Sequence, residues 1–252
     1  MKNKWRLLKI FSTIIIFGLL MYFSLTRFNE KKMEDILVHF VSSDDEKVYF
    51  LDEKRVIDFV KSKNPSGKVG DIDIPYLEKE INHFPSVDSA NVYLNLNGKL
   101  HIDIQQRVPK FRLSKGDMNY YVDGDAQEFP TSPHYAHDVM LVSGNVKRTE
   151  YQKLIELVDK IKNDTFSKKY YIGIVKEKEN NYYLITQDGH FKVELGDLHQ
   201  LDYKLSGFKK FMEKYLMYQD PRKYTKISLR FDNQIVTTLR KGYQPEENKK
   251  AE

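Results

Sequence analysis

Seven histidines, no cysteine and a dense scatter of Asp, Glu and Lys bound the chemistry open to this chain. Without a thiol there is no disulfide scaffold, thiolate metal site, cysteine nucleophile or iron–sulfur cluster. His134-Tyr135-Ala136-His137 has an i, i+3 spacing that two metal ligands can share. It lies among Pro130 and Pro133, with no helical H-E-x-x-H frame, so a solvated loop is predicted there. Asp123-Gly124-Asp125 starts like a calcium loop, but Glu128 stands where such a loop needs Gly and His134 where it needs Glu. A β-turn is the better reading. Ser206-Gly207 has no G-x-S-x-G context, and the pair is expected inside an amphipathic helix as a packing spot. Phosphate-cradling glycine loops are absent from the sequence, and its acids alternate with lysines as on solvated faces. The residues therefore predict no catalytic group, no cofactor site and no metal site.

The elements that carry these residues divide unevenly in charge. The chain has 252 residues and a formal charge of +5. Residues 1–32 hold seven bases (Lys2, Lys4, Arg6, Lys9, Arg27, Lys31, Lys32) and Glu30 alone as acid, so the rest is close to neutral. Nucleic-acid binding needs bases concentrated on a folded surface, and that surplus is a tail. Ile10–Thr26 has no charged residue, and with Leu7 and Leu8 the apolar run approaches the roughly 20 residues that span a bilayer. Tyr22–Arg27 offers no Ala-x-Ala cleavage site, so an uncleaved signal anchor is preferred to a signal peptide. The basic flank predicts residues 1–6 in the cytoplasm, a transmembrane segment over 7–26, and the bulk outside.

Beyond the anchor the pattern predicts an α+β chain. A linker over 27–35 leads to a strand at Ile36–Val41 and a helix capped by Asp52, with Val56, Phe59 and Val60 on one face. Lys63–Gly70 reads as a loop. A second helix follows Asp73, with Pro75 in its first turn and Leu77, Ile81 and Phe84 on a face. Val92, Leu94 and Leu96, then Leu100, Ile102 and Ile104, alternate around Asn97-Gly98. Parity requires a three-residue loop pairing Leu94 with Leu100, with Gly98 left-handed, because the apolar sets must share a face. Arg107-Val108-Pro109 marks a boundary between a β-α-α-β-β unit over 36–107 and a strand-rich unit over 108–240. The second unit is predicted to hold two helices, about 149–162 and 198–217, and to close with strands Thr225–Phe231 and Gln234–Leu239 around an Asp232-Asn233 turn. A polar tail over 241–252 is expected to be disordered.

Read together, several stretches resemble one family. Phe50–Val56, Asp73–Glu78, Phe84–Val87, Ala90-Asn91-Val92, Gly98–Ile102 and Gln106–Pro109 look like a POTRA (polypeptide-transport-associated) domain. Tyr120–Asp123, Phe129-Pro130, Leu141–Gly144, Val193–Gly196 and Ile227–Gln234 look like the β-domain that follows it. Short tail, one membrane helix, POTRA and β-domain in that order resemble the FtsQ/DivIB cell-division proteins. Ser42–Glu46 departs from the family's turn before the POTRA core. The resemblance implies a non-enzymatic divisome scaffold in the bacterial inner membrane, enriched at the septum, with no cofactor. It implies FtsB-like and FtsL-like single-span partners bound by β-augmentation at Arg230, Phe231, Asp232, Asn233, Gln234, Ile235, Val236, Thr237, Thr238 and Leu239. The alternative is a membrane-tethered POTRA protein of an export or outer-membrane-assembly system.

Overall fold

In this computed structural model residues 2–41 and 47–243 are described; Ser42–Glu46 and the tail from residue 244 onward lie outside them. Helix α1 covers Lys2–Asn29. Its stretch Leu8–Asn29 is long and apolar enough to cross a membrane. The helix thus runs past Thr26 into the expected linker. The rest of that linker is not free chain either. Met33 N–H donates to the Gly67 carbonyl (2.8 Å) and Val69 N–H to that of Lys31 (2.9 Å).

The chain forms two compact units, Met1–Arg107 and Val108–Glu252. In the first, strand β1 (Ile36–Val41) is followed by α2 (Glu53–Lys63) and α3 (Ile74–Asn82). Both helices start where an aspartate satisfies an otherwise unpaired N–H: Asp52 accepts from Arg55 and Asp73 from Tyr76. Strands β2 (Val87–Leu94) and β3 (Leu100–Gln106) complete a sheet of order β1-β3-β2, with β1 parallel and β2 antiparallel to β3. Leu94 pairs with Leu100 and Val92 with Ile102, and Gly98 has φ +80°, as parity requires. Val56, Val60, Leu77, Ile81, Val92, Ile102 and Ile104 form the core between helices and sheet. Leu96 belongs to neither strand. It stands at the hairpin tip, 90% exposed, so the alternating set ends at Leu94.

The second unit is built on a nine-stranded sheet of order β12-β11-β10-β9-β8-β7-β4-β5-β6. Its strands are β4 (Pro109–Lys115), β5 (Met118–Asp123), β6 (Glu128–Pro130), β7 (Met140–Gly144), β8 (Tyr171–Lys178), β9 (Asn181–Thr186), β10 (Lys192–Gly196), β11 (Tyr224–Ser228) and β12 (Val236–Leu239). Three helices interrupt them rather than two: α4 (Tyr151–Asn163), α5 (Thr165–Tyr170) and α6 (Leu201–Lys214). The additional α5 is opened by Asp164, whose carboxylate accepts from Ser167 N–H. Helix α6 is shorter than its apolar spacing suggests: Leu201 and Phe208 are buried, whereas Tyr215 lies beyond the helix and is exposed. Phe111, Val142, Leu154, Val158, Ile174, Leu184, Val193, Phe208 and Ile227 share one core.

Candidate functional site

The chemistry-bearing residues of the sequence are occupied locally. Asp123 Oδ1 accepts from the N–H groups of Asp125 (3.0 Å) and Gln127 (2.8 Å), which closes the β5–β6 turn. His137 Nδ1 lies 2.9 Å from the Tyr135 hydroxyl, and His137 N–H donates to the Tyr121 hydroxyl. Among the described residues no three His, Asp or Glu side chains converge on a point that could hold a metal ion. Gly207 is not a close-packing glycine: open space surrounds the position of a Cβ.

The residues Arg230–Leu239 divide into a loop and a strand. Strand β12 begins at Val236, not Gln234, and β11 ends at Ser228, not Phe231. Leu229 N–H donates to the Glu194 carbonyl (2.8 Å), so this residue bonds toward β10, the side of β11 away from β12. Asn233 is left-handed at φ +59°, a conformation Asn tolerates better than most residues, and the chain does not extend again until Val236. Ile235 is partly buried against the core of the unit, so its side chain faces inward. Phe231 is 47% exposed in the loop, with Asp232 and Gln234 exposed beside it.

β12 runs antiparallel to β11, with Ser228 opposite Val236, Ile227 opposite Thr237 and Lys226 opposite Thr238. It ends the sheet, and no described strand pairs with its outer side. Thr237 is half-buried, while Val236, Thr238 and Leu239 are exposed, Leu239 at 64%. The opposite edge, β6, has three residues and ends at Pro130. A short strand with Pro is how proteins blunt an edge. β12 is Val-Thr-Thr-Leu, with neither Pro nor charge.

Two residues outside the expected segment hold this edge in place. Tyr203 of α6 donates its hydroxyl to Asn233 Oδ1 (3.0 Å) and accepts from Asn233 N–H (3.2 Å). Arg240 N–H donates to the Lys223 carbonyl (2.7 Å), and its guanidinium donates to the carbonyls of His190 (2.8 Å) and Arg222 (3.1 Å). One end of β12 is thereby tied to α6 and the other to the loops flanking β10 and β11. No periodicity points to Tyr203, which is remote in sequence from its partner. Arg240 reads only as the first charge after an apolar strand.

Beneath the edge, buried Glu194 of β10 meets Lys226 Nζ of β11 at 3.0 Å. Asn181 Nδ2 (3.1 Å) and the Tyr183 hydroxyl (3.2 Å) also donate to it. Burial disfavours its charge, but hydrogen bonds from Lys226, Ser228 and Asn181 outweigh that and hold the carboxyl below the ordinary glutamate range. Burial, followed by the charge of Glu194, pushes the Tyr183 phenol up. Asp220 accepts from Arg222 and from the Tyr243 hydroxyl, and both keep its carboxyl ionised far below the usual aspartate range. Tyr243 is therefore engaged, within the tail over 241–252 for which the sequence predicts disorder.

Residues 108–238 match the family described as FtsQ/DivIB, C-terminal related. Among solved structures, the major extracytoplasmic domain of the trans isomer of the cell division protein DivIB from Geobacillus stearothermophilus is similar to this chain at 11% identity. The alignment has a TM-score of 0.30 and covers 46% of this chain and 98% of that one. Among curated protein sequences none matches the chain.

Proposed function

The chain belongs to the FtsQ/DivIB C-terminal related family of cell-division proteins, and from that premise we propose that it is a non-enzymatic divisome scaffold whose β12 edge receives an extended partner segment. The observation that carries this reading is the contrast between the two edges of one sheet, β6 blunted by Pro130 and β12 uncharged and, among the described residues, unpaired outside. An incoming strand would complete its ladder on β12 through backbone bonds, which supply affinity without regard to sequence. Selectivity would come from side chains beside the ladder: exposed Phe231, Val236 and Leu239, with Arg230 and Asp232 as charged flanks. The partners are FtsB-like and FtsL-like single-span proteins of the same membrane.

The same reading takes α1 as the membrane anchor, with residues 1–6 cytoplasmic because four bases precede the apolar core. The β-α-α-β-β unit is a POTRA domain with a part in recruitment to the septum, and 36–107 and 108–240 are its POTRA and β-domain boundaries. Affinity capture of the tagged full chain from detergent-solubilised membranes tests the proposal. Single-span division proteins should co-purify with the parent and be lost from folded β12 variants. Equal recovery with both would place the docking site elsewhere.

A further inference from the structure

The first unit is clamped to the end of α1 without slack. Lys68 Nζ meets Glu30 at 2.6 Å, Val69 N–H donates to the Lys31 carbonyl, and Met33 N–H to that of Gly67. A Cβ on Gly70 would sit 2.7 Å from the Cβ of Asn29, the last helical residue, so only glycine fits there. The β2–β3 hairpin joins the same clamp. Lys31 Nζ donates to the Asn97 carbonyl (2.6 Å) and Glu34 N–H to that of Gly98 (3.2 Å).

The tip itself is stiff. Asn95 Oδ1 accepts from Asn97 N–H (3.1 Å) and Lys99 N–H (2.9 Å), which fixes the loop around Leu96. That leucine, at 90%, is more exposed than any described large apolar side chain of α1 itself. A span of about 20 residues centred on Gly18 leaves the hydrocarbon near Phe28. Lys31, and with it the carbonyl of Asn97, then lies at headgroup level.

We propose that Leu96 is a second membrane contact: the hairpin tip inserts into the interface of the bilayer that α1 crosses, seating the first unit on the lipid surface. The occupant is lipid because the tip is bound to the end of a membrane helix. Charge does not make this an anionic-lipid site. Lys31 pairs with Glu34, Lys68 with Glu30 and Lys99 with Asp35, leaving the apolar side chain as the inserting group. Lysine stems beside it can reach along the interface with their charges in water. The proposal rests on α1 spanning the membrane and is independent of the β12 edge.

Full-length chain in nanodiscs of zwitterionic lipid, one copy per disc, tests it. The chain has no cysteine, so Asn97→Cys carries one environment-sensitive fluorophore beside an intact Leu96, and Phe17→Cys carries a deep reference. The label at 97 should be quenched by nitroxides at the lipid headgroup, with little change when anionic lipid is added. Leu96→Glu in that background, or a flexible Gly/Ser insertion between Asn29 and Glu30, should abolish the quenching. A label at 97 open to aqueous iodide and untouched by lipid nitroxides would overturn the proposal. So would protection from both, which would mean the tip is packed on protein. A Phe17 label that deep nitroxides fail to quench would remove the membrane span, and this proposal with it.

Discussion

Tyr203 and Asn233 are joined by two hydrogen bonds of opposite sense, the phenol donating to the Asn233 side chain at 3.0 Å and accepting from its backbone N–H at 3.2 Å. One hydroxyl thus fixes both the left-handed backbone of Asn233 and its amide, and with them the approach of the chain to β12. Tyr203→Phe removes both bonds and keeps the ring. At this exposed position the cost to stability should be about 1 kcal/mol or less. Hydrogen exchange should nonetheless quicken across 231–239, and partner capture should fall if a preset loop assists docking. Unchanged exchange in that segment would mean the tyrosine merely rests there.

Gly144 and Gly207 should respond oppositely to the same substitution. Gly144 ends β7 at φ +107°, and a Cβ there would lie 2.2 Å from the Lys176 carbonyl oxygen of β8. Gly144→Ala should therefore destabilise the second unit by more than about 2 kcal/mol, combining backbone strain with a clash against backbone. Gly207 lies inside α6 with open space around it, and Gly207→Ala should stabilise by roughly 0.5–1 kcal/mol. Denaturant unfolding of the two variants compares them directly, and equal effects would contradict the close approach of β7 to β8.

The pH dependence of stability should come from carboxylates held below their ordinary range. Glu194 is one, and Glu150 another: burial opposes its charge, but Lys176, at 2.6 Å, and the Lys147 N–H hold it ionised. A carboxyl with a depressed folded-state value stabilises fully above the unfolded value, about 4.3. That contribution is lost as pH falls through the folded value. The contribution of these carboxylates should be flat from neutrality to about pH 5 and decline below it. Glu194→Gln should be less stable at neutral pH and show a shallower acid decline than the parent. Parallel curves would show that Glu194 titrates alike in both states.

How much of this could be read from residues alone depended on whether the signal was local. Asp52 and Asp73 announce their helices because a cap needs one acceptor three residues before its donor. The Leu94–Leu100 register follows from parity across Gly98. β6 leaves almost no trace, since three residues with one buried Phe129 carry no alternation. Helix α5 was hidden by its brevity and by Lys168 and Lys169. The order of the large sheet could not be read at all, because β7 lies parallel between β4 and β8, pairings that no sequence period encodes. At the candidate site the last strand was visible as an uncharged β-branched run, whereas its shortened start, the Tyr203 tie and the Arg240 clamp depend on contacts far along the chain.

Proline scanning of the two sheet edges puts β-augmentation to its sharpest test. An added strand needs outward N–H groups on β12, and proline lacks one. Residues alternate between bonding β11 and facing outward, and the register runs unbroken from Val236 to Thr238, so of the adjacent Val236→Pro and Thr237→Pro one should mainly harm the β11–β12 ladder and the other mainly the docking edge. Neither should unfold the sheet, because β12 is its outermost strand and only Thr237 of its four side chains is half-buried. Phe231→Ala removes an exposed aromatic beside the edge without touching the ladder, and as a binding anchor it should weaken capture by about 1–3 kcal/mol. The matching control is Glu128→Ala at β6, an edge already ended by Pro130, where capture should be unaffected. Glu128 also pairs with Arg148 at 2.7 Å, so its loss tests whether modest destabilisation of the second unit alone reduces binding. If both proline variants remain folded by circular dichroism and still retain division partners as the parent does, the backbone of β12 is not the ladder they join.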